Sequence, residues 1–212
     1  GANADGNAPP RYIVESCVGH VRDLPSSAKQ IPAAVKGEPW ARLGVDVANG
    51  FRPLYVLMPK KSKIIAALRA QLADCDELVL ATDEDREGEA IAWHLAQLLK
   101  PDKLGVPVQR AVFHEITPAA VTAAFASMRA IDEHLVSAQE TRRVLDRLAG
   151  YTMSPLLWQK ISRGLSAGRV QSVAMTHIVR REHRRLAFVR ADYAGAKAVV
   201  AAGGGAFEVS LV

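Results

Sequence analysis

Acidic residues crowd positions 83–89, directly after the apolar run 78–81. Side chains two apart on a strand point the same way, so Asp83 and Asp85 are expected to project together from a strand end. Glu87 follows where a helix is predicted to begin. Carboxylates gathered at such a turn are typical of a Mg²⁺ site, which uses few protein ligands and several waters. The alternative is a solvated acidic turn, because the helix dipole favours acids at a helix start.

The surrounding elements predict a parallel sheet that positions these acids. Strands are predicted over residues 12–16, 51–57, 78–81 and 108–113, and helices over residues 63–73, 90–99 and from Thr117 onward. Alternating strands and helices are typical of an α/β domain. Ligands of open α/β sheets bind at the carboxyl ends of strands, where Asp83 and Asp85 are expected.

After residue 131 the pattern becomes almost entirely helical, up to about residue 190. A helix is predicted over residues 139–150, with Gly150 as its C-terminal cap. A helical wheel places Thr141, Val144, Leu145 and Leu148 on one side, and Gln139, Arg142, Arg143, Asp146 and Arg147 on the other. The arginine side suits phosphates, which guanidinium groups bind in a bidentate fork. The alternative is a solvated face with an Arg142–Asp146 ion pair.

A second segment with phosphate-binding character covers residues 166–171. Its members are Ser166, Ala167, Gly168, Arg169, Val170 and Gln171. Small residues before a helix allow close approach of the backbone, and the N–H groups at a helix start attract phosphate. The basic run over residues 180–185 is interpreted as a solvated helix surface.

The whole chain sets broad limits on function. Its 212 residues allow one large or two small domains, and a net charge of +5 with a pI of about 9.4 is consistent with a polyanionic partner. Cys17 and Cys75 do not form a Cys-x-x-Cys pair, which favours a reducing compartment. A membrane-spanning run and a secretory signal are not found, so a cytoplasmic protein is expected.

The acidic string and the helix after it, up to His94 and Leu95, resemble the TOPRIM domain of type IA DNA topoisomerases. Further blocks similar to that family occur in the same order along the chain. They cover residues 19–25, 113–117, 139–147, 150–151, 154–158 and 164–174. The resemblance implies an α/β TOPRIM fold, with a Rossmann-like parallel sheet and flanking helices, plus an α-helical DNA-binding domain.

The resemblance also implies a domain organisation. Residues 11–25 and 51–130 are expected to form the TOPRIM domain, with its first strand missing. Residues 26–50 and 131–190 are expected to belong to the helical domain, and residues 191–212 to begin a further β-containing domain. Residues 1–10 are interpreted as a disordered tail or a remnant of cloning.

Enzymes of this family relax negatively supercoiled DNA without ATP, by cutting and resealing one strand through a 5′-phosphotyrosyl bond. The resemblance implies that Asp83, Asp85 and Glu87 support Mg²⁺ and phosphoryl transfer, and that Arg110 lies near the scissile phosphate. The residues that it implies for single-stranded DNA are His20, Gln139, Arg142, Arg143, Asp146, Arg147, the loop 166–171, and Tyr151 and Trp158 as stacking platforms.

The chain departs from the family pattern at several positions. Residues 12–16 match a later strand of the family, so Glu15 is not assigned a catalytic role, and Thr176 replaces a common arginine. The family's nucleophilic tyrosine has a Tyr-x-Arg-Thr-Asp-like context, which none of the tyrosines has; they are Tyr12, Tyr55, Tyr151 and Tyr193.

The sequence therefore predicts an N-terminal fragment of a bacterial, nucleoid-associated type IA enzyme. This fragment is expected to bind Mg²⁺ and single-stranded DNA weakly and not to cleave, because other domains of the parent enzyme are missing. Two alternatives stay open. One is another TOPRIM enzyme, primase-like or nuclease-like, and the other is a non-enzymatic DNA-binding module.

Overall fold

The computed structural model describes residues 12–210, so the predicted tail over residues 1–10 lies outside it. Contacts divide the chain into two units, residues 1–168 and 169–212. The strands of the first unit are β1 (Arg22–Asp23), β2 (Val45–Asp46), β3 (Arg52–Pro53), β4 (Val56–Leu57), β5 (Leu78–Leu80) and β6 (Val108–Arg110). Its helices are α1 (Lys61–Leu72), α2 (Arg86–Leu99), α3 (Pro118–Ala126) and α4 (Glu133–Lys160), with short 3-10 turns at Ala28–Gln30, Ala33–Val35 and Pro101–Leu104.

Strands β5 and β6 pair in parallel, with Leu78 opposite Val108 and Leu80 opposite Arg110. The main hydrophobic core combines apolar side chains from this pair, from helices α1 and α2 and from neighbouring segments. Its buried members are Val21, Ile65, Leu72, Leu80, Ala92, Leu95, Leu99 and Val106. The predicted α/β arrangement is confirmed. Within residues 12–210, however, parallel pairing is limited to β5 and β6, so the expected larger sheet is reduced to two strands.

The strand predicted over residues 12–16 is not formed. In the part of the chain that the structure describes, these residues have no strand partner, and Val14 is 90% exposed. A strand is stabilised by its ladder of hydrogen bonds, which a strand-like sequence cannot supply alone. The segment that follows is tied down differently, because the Lys61 ammonium donates to the carbonyl oxygens of Cys17 and Val18 at 2.9 and 2.6 Å.

A second, smaller core joins the irregular segment 26–50 to helix α4. Leu24, Val45 and Val144 are its buried residues. Strand β2 pairs antiparallel with β3, and β1 pairs antiparallel with β4, so two short pairs frame the segment. The contact between Val45 and α4 is consistent with the expected grouping of residues 26–50 with the helical region. The domain boundaries themselves stay a prediction.

Helix α4 is longer than the sequence pattern predicts. Asp132 caps its start by accepting from the backbone N–H groups of His134 and Leu135 at 2.8 and 3.2 Å. The prediction that Gly150 ends the helix is wrong. Gly150 does not have the positive φ of a C-terminal glycine cap, and the helix continues through Pro155 to Lys160.

The second unit consists of α5 (Arg169–Ala187) and a hairpin of β7 (Lys197–Ala202) and β8 (Gly205–Ser210). Gly203 and Gly204 form the two-residue turn with φ values of 60° and 87°. Positive φ at both positions is what the tight turns of such hairpins require. The β segment expected after residue 190 is present, and its assignment to a further domain stays a prediction.

Candidate metal and nucleic-acid site

The acidic residues lie on a tight turn between β5 and α2. Asp85 caps α2, since its carboxylate accepts from the backbone N–H of Gly88 at 2.7 Å. The Thr82 hydroxyl donates to the carbonyl oxygen of Gly88 at 2.6 Å. A Cβ atom on Gly88 would lie 2.1 Å from the carbonyl oxygen of Asp83, so the turn packs directly on the helix backbone. The predicted strand and helix start are confirmed here, and the capping role of Asp85 is an addition from the structure.

The structure separates the acidic residues by burial. Asp83 and Asp85 are exposed, and Glu87 is half-buried. The Glu87 carboxylate accepts from the Gln139 amide at 3.0 Å and lies 3.5 Å from Nε2 of His20. Three predicted site residues, Glu87, Gln139 and His20, are thus brought together.

Glu89, the last acid of the string, is fully buried and serves a different purpose. Burial raises the pKa of its carboxyl, but hydrogen bonds from Arg129, the backbone of Asp132 and Arg110 outweigh this and lower the pKa to about 2. Glu89 is therefore a charged, fully paired carboxylate at neutral pH.

That Arg110 lies near the scissile phosphate stays a prediction, and the hydrogen bonds of its side chain limit what it can do there. The Arg110 side chain is 0% exposed, and all five of its N–H groups have acceptors. Nη1 donates to the carbonyl oxygens of Leu80 and Thr82, and Nη2 donates to that of Asp83. Glu89 accepts from Nε and Nη2. Arg110 therefore holds the backbone of the acidic turn and has no donor left for a phosphate.

A cavity of about 310 Å³ opens beside the acidic turn. Its lining side chains come from β1, the β4 region, α2 and α4. They are His20, Arg22, Asp23, Tyr55, Met58, Glu87, His94, Gln139, Arg142, Arg143 and Asp146. Six of these were predicted as site residues, and they lie together here: His20, Glu87, Gln139, Arg142, Arg143 and Asp146. Ligand pockets commonly start at about this volume.

The other lining residues, Arg22 among them, were not predicted as site residues. The Arg22 guanidinium lies 5.6 Å from the ring centroid of Tyr55 and 5.3 Å from that of Trp93. Its Nε donates to Nδ1 of His94 at 3.0 Å. Arg22 and Asp23 belong to residues 19–25, a block that resembles the family and in which only His20 is assigned a DNA contact. The resemblance of this block is the sequence signal that could have identified Arg22 and Asp23 as site residues.

His94 is kept neutral in this cavity. Burial lowers its pKa most, and the nearby Arg22 and His20 contribute in the same direction, so that the pKa is about 3. A neutral ring whose Nδ1 accepts from Arg22 carries its proton on Nε2. By accepting the hydrogen bond from Arg22, the His94 ring orients the guanidinium.

The arginines of α4 differ in their availability. Arg143 forms a bidentate ion pair with Asp23, with both N···O distances at 2.7 Å. Arg142 forms a longer ion pair with Asp146, at 4.0 Å, and is 39% exposed. Arg142 is therefore better placed than Arg143 to bind an incoming anion.

Part of the polar side of α4 is buried, although the sequence predicts a phosphate-binding face or, as the alternative, a solvated face with an Arg142–Asp146 ion pair; that ion pair is present at 4.0 Å. Gln139 and Arg147 are 7% and 8% exposed, whereas Leu145 on the expected apolar side is 50% exposed. The cause is pairing, because Gln139 donates to Glu87, and Arg147 donates to the carbonyl oxygen of Pro25 at 2.9 Å. Polar partners on facing elements compensate for burial of these side chains.

Other predicted DNA contacts lie elsewhere in the described part of the chain. Arg147 donates to the hydroxyl of Tyr151, which is half exposed, and the Trp158 indole donates to the carbonyl oxygen of Leu165. Residues 166–168 follow Leu165 in the first unit, where the backbone N–H of Ala167 donates to Ser154. Arg169, Val170 and Gln171 form the first turn of α5 in the second unit, as the predicted helix start requires.

The acidic turn offers the oxygen donors that Mg²⁺ prefers, but not a ready three-carboxylate cluster. Within residues 12–210 no group of three or more His, Cys, Asp or Glu side chains lies close enough to hold a metal ion. Asp85 is used as a cap, and Glu87 is bound by Gln139. Mg²⁺ is often held by one or two carboxylates together with waters and substrate phosphates, and the exposed Asp83 and Asp85 fit that mode.

Comparisons with known proteins agree with this architecture. The Toprim domain family matches residues 9–116, and the bacterial DNA topoisomerase family matches residues 130–210. DNA topoisomerase 1 of Synechococcus elongatus is 57% identical over 203 residues, which are 96% of this chain and 23% of the relative. DNA topoisomerase 1 of Mycobacterium leprae is 59% identical over 182 residues, which are 86% of this chain and 19% of the relative.

A solved structure gives the same result. Full-length topoisomerase I from Thermotoga maritima matches with a TM-score of 0.64 and 36% identity, over 87% of this chain and 28% of that one. The chain spans about a fifth of the length of the Synechococcus and Mycobacterium relatives. None of the helices in the described residues is long and apolar enough to cross a membrane. Matches to both families, in order along the sequence, show that the chain belongs to the bacterial DNA topoisomerase I family and carries its Toprim domain.

Proposed function

We propose that this chain is part of an ATP-independent type IA DNA topoisomerase and supplies its Mg²⁺ site and part of its single-stranded DNA site. The parent protein relaxes negatively supercoiled DNA in the cytoplasm, through a transient 5′-phosphotyrosyl bond. The nucleophilic tyrosine comes from another part of that protein. By itself, the chain binds DNA and does not cleave it.

The observation that carries this proposal is that Glu87 belongs both to the acidic turn and to the lining of the cavity. In the cavity its carboxylate binds Gln139 of α4. A nucleotide in the cavity would therefore have cationic side chains on one side and the acidic turn on the other. A phosphate between them can be bound by arginine and, through a divalent ion, by carboxylates.

The side chains divide the work in this proposal. Asp83 and Asp85, with exposed oxygens, would hold Mg²⁺ together with waters and the DNA phosphate. When bound, the ion neutralises phosphate charge during religation. Arg142 and His20 bind the phosphates of the strand in the cavity. Arg143 stays paired with Asp23 and keeps β1 against α4.

The decisive experiment removes the charge of both aspartates. Asp83→Asn/Asp85→Asn keeps the helix cap, because asparagine is as good a capping residue as aspartate. We expect Mg²⁺ to strengthen binding of the wild-type chain to a fluorescent twelve-residue oligothymidine, and the double variant to lose this effect. Without Mg²⁺, the variant binds more tightly than wild type, because two repulsive charges are gone. Fluorescence anisotropy with and without Mg²⁺ measures both changes.

Asp102→Asn is the matched control, since Asp102 is an exposed acid in the first turn of the 3-10 turn Pro101–Leu104. It should retain the wild-type response to Mg²⁺. Equal DNA binding with and without Mg²⁺ in the wild-type chain would favour a DNA-binding module without a metal site. A covalent adduct between this chain alone and DNA would contradict the assignment of the tyrosine to another part of the protein.

A further inference from the structure

The buried carboxylate of Glu89 is the centre of a closed hydrogen-bond network. Its Oε1 accepts from Nη1 of Arg129 at 2.9 Å and from the backbone N–H of Asp132 at 2.6 Å. Its Oε2 accepts from Nη2 of Arg129 at 2.9 Å and from Arg110 at 3.1 and 3.2 Å. The side chain is 0% exposed. Both oxygens are thus saturated by donors, and Glu89 has no lone pair to offer to a metal ion.

One arm of the network runs to the acidic turn. Arg110 joins Glu89 to the carbonyl oxygens of Leu80, Thr82 and Asp83, at 2.7, 3.1 and 3.1 Å. These are the last residue of β5 and the residues that lead to Asp85. The Arg110 guanidinium therefore holds the backbone that carries the exposed aspartates, and Glu89 balances the charge of that guanidinium.

The other arm runs to the first turn of α4. The backbones of Arg110 and Arg129 exchange two hydrogen bonds, at 2.7 and 3.1 Å. Asp132, whose N–H binds Glu89, is also the residue that caps α4 with its side chain. The helix that carries Gln139 and Arg142 to the cavity thus starts from a residue held by Glu89.

We infer that Glu89 is a positioning residue, which sets the distance between the acidic turn and helix α4 through Arg110 on one side and Arg129 and Asp132 on the other. This inference rests on the proposed function, in which one DNA phosphate must contact both the aspartates of the acidic turn and the arginines of α4. The distance between the turn and the helix therefore decides whether both contacts can form. The last acid of the string is then an organiser of the site and not one of its metal ligands.

Glu89→Gln tests this inference, because it keeps the shape of the side chain and removes its charge. Hydrogen exchange measured by mass spectrometry reports the order of each segment separately. We expect exchange to accelerate at least tenfold in two segments, residues 82–90 and 129–136, and to stay unchanged in α1. The concentration of Mg²⁺ that gives half of its effect on oligothymidine binding should rise severalfold.

Two control variants separate positioning from general stability. Glu77→Gln makes the same chemical change at an exposed acid just before β5, which accepts from Gln109, and should behave like wild type. Leu99→Ala removes a core side chain at the far end of α2 and lowers stability without touching the network. In this variant, hydrogen exchange over residues 82–90 and 129–136 should accelerate no more than in the rest of the protein.

Arg129→Gln provides a milder variant should Glu89→Gln not fold, because Arg129 is 36% exposed and leaves the Arg110 arm intact. It should accelerate exchange over residues 129–136 more than over residues 82–90. Uniform acceleration, or a pattern like that of Leu99→Ala, would overturn the positioning role. A wild-type chain without any response to Mg²⁺ would contradict the proposed function alone, since the exchange pattern decides the role of Glu89 independently.

Discussion

Substitution of Gly88 by alanine should displace the acidic turn, although alanine is the better helix former. The new Cβ would lie 2.1 Å from the carbonyl oxygen of Asp83, and such contacts are essentially never below 3.0 Å. The backbone of Asp83 would therefore have to move away from α2. This movement also threatens the two hydrogen bonds of Gly88, with Asp85 and with Thr82.

The size of the effect follows from these contacts. Overpacking of a close contact costs about 1–3 kcal/mol. Loss of the cap and of the threonine bond adds about 1 kcal/mol each. The better helix propensity of alanine returns about 1 kcal/mol. We therefore expect Gly88→Ala to lower the free energy of unfolding by about 2–4 kcal/mol, as the balance of these contributions.

Urea unfolding and oligothymidine binding measure the two consequences. The midpoint should fall at an unchanged slope, and the Mg²⁺ effect on binding should weaken because Asp83 has moved. Gly150→Ala is the matched control, since Gly150 also lies within a helix and a Cβ there would be 3.6 Å from the carbonyl oxygen of Ala167. It should stabilise the chain by up to about 1 kcal/mol. Equal free energies of unfolding for the two variants would contradict the close approach of the Asp83 backbone to α2.

Two further predictions concern the cavity. The pKa of His94 is about 3 in the folded chain, below its ordinary value of 6.5, so its contribution to stability is complete above pH 6.5 and is lost as the pH falls toward 3. The free energy of unfolding should therefore decline more steeply between pH 6 and pH 4.5 in wild type than in His94→Asn, by up to about 1.4 kcal/mol per pH unit, in urea titrations at each pH. Arg142→Ala should weaken oligothymidine binding and reduce the slope of log K against log salt by about 0.7. Arg69→Ala, which removes an exposed arginine on α1 outside the cavity, should change neither the affinity nor the slope. Equal slopes for the two variants would show that Arg142 does not contact the DNA.

The elements that the sequence predicts well are those set by neighbouring residues. Strand β5 follows from its short apolar run, and the predicted opening of α2 at residues 87–89 lies close to its observed start at Arg86, because neighbouring residues set both. Thr117 and Pro118 begin α3 for the same local reason, and the Thr117 hydroxyl accepts from the backbone N–H of Ala120 at 3.3 Å. Capping bonds span three residues at most, so a single stretch of sequence contains all the information.

Features that depend on distant partners are those that the sequence predicts poorly. Arg110 and Glu89 are 21 positions apart, and nothing in the local pattern of either indicates that they bury each other's charge. Arginine side chains are mostly exposed in proteins, so residue type does not predict the burial of Arg110, and its expected place near the scissile phosphate came from the resemblance to the family alone. Residues 12–16 fail for the complementary reason, since their strand-like composition finds no neighbour within the described chain.

The two glutamates of α2 could nevertheless have been separated by helical geometry. At about 100° per residue, Glu89 points about 200° away from Glu87, onto the opposite face of the helix. His94 is seven positions after Glu87 and returns to within about 20° of the same direction. The structure has this arrangement, because Glu87 and His94 both line the cavity while Glu89 is fully buried. A metal ion at the exposed face therefore cannot include Glu89 without breaking α2, and any reassignment of the ligands must start from Asp83, Asp85 and Glu87.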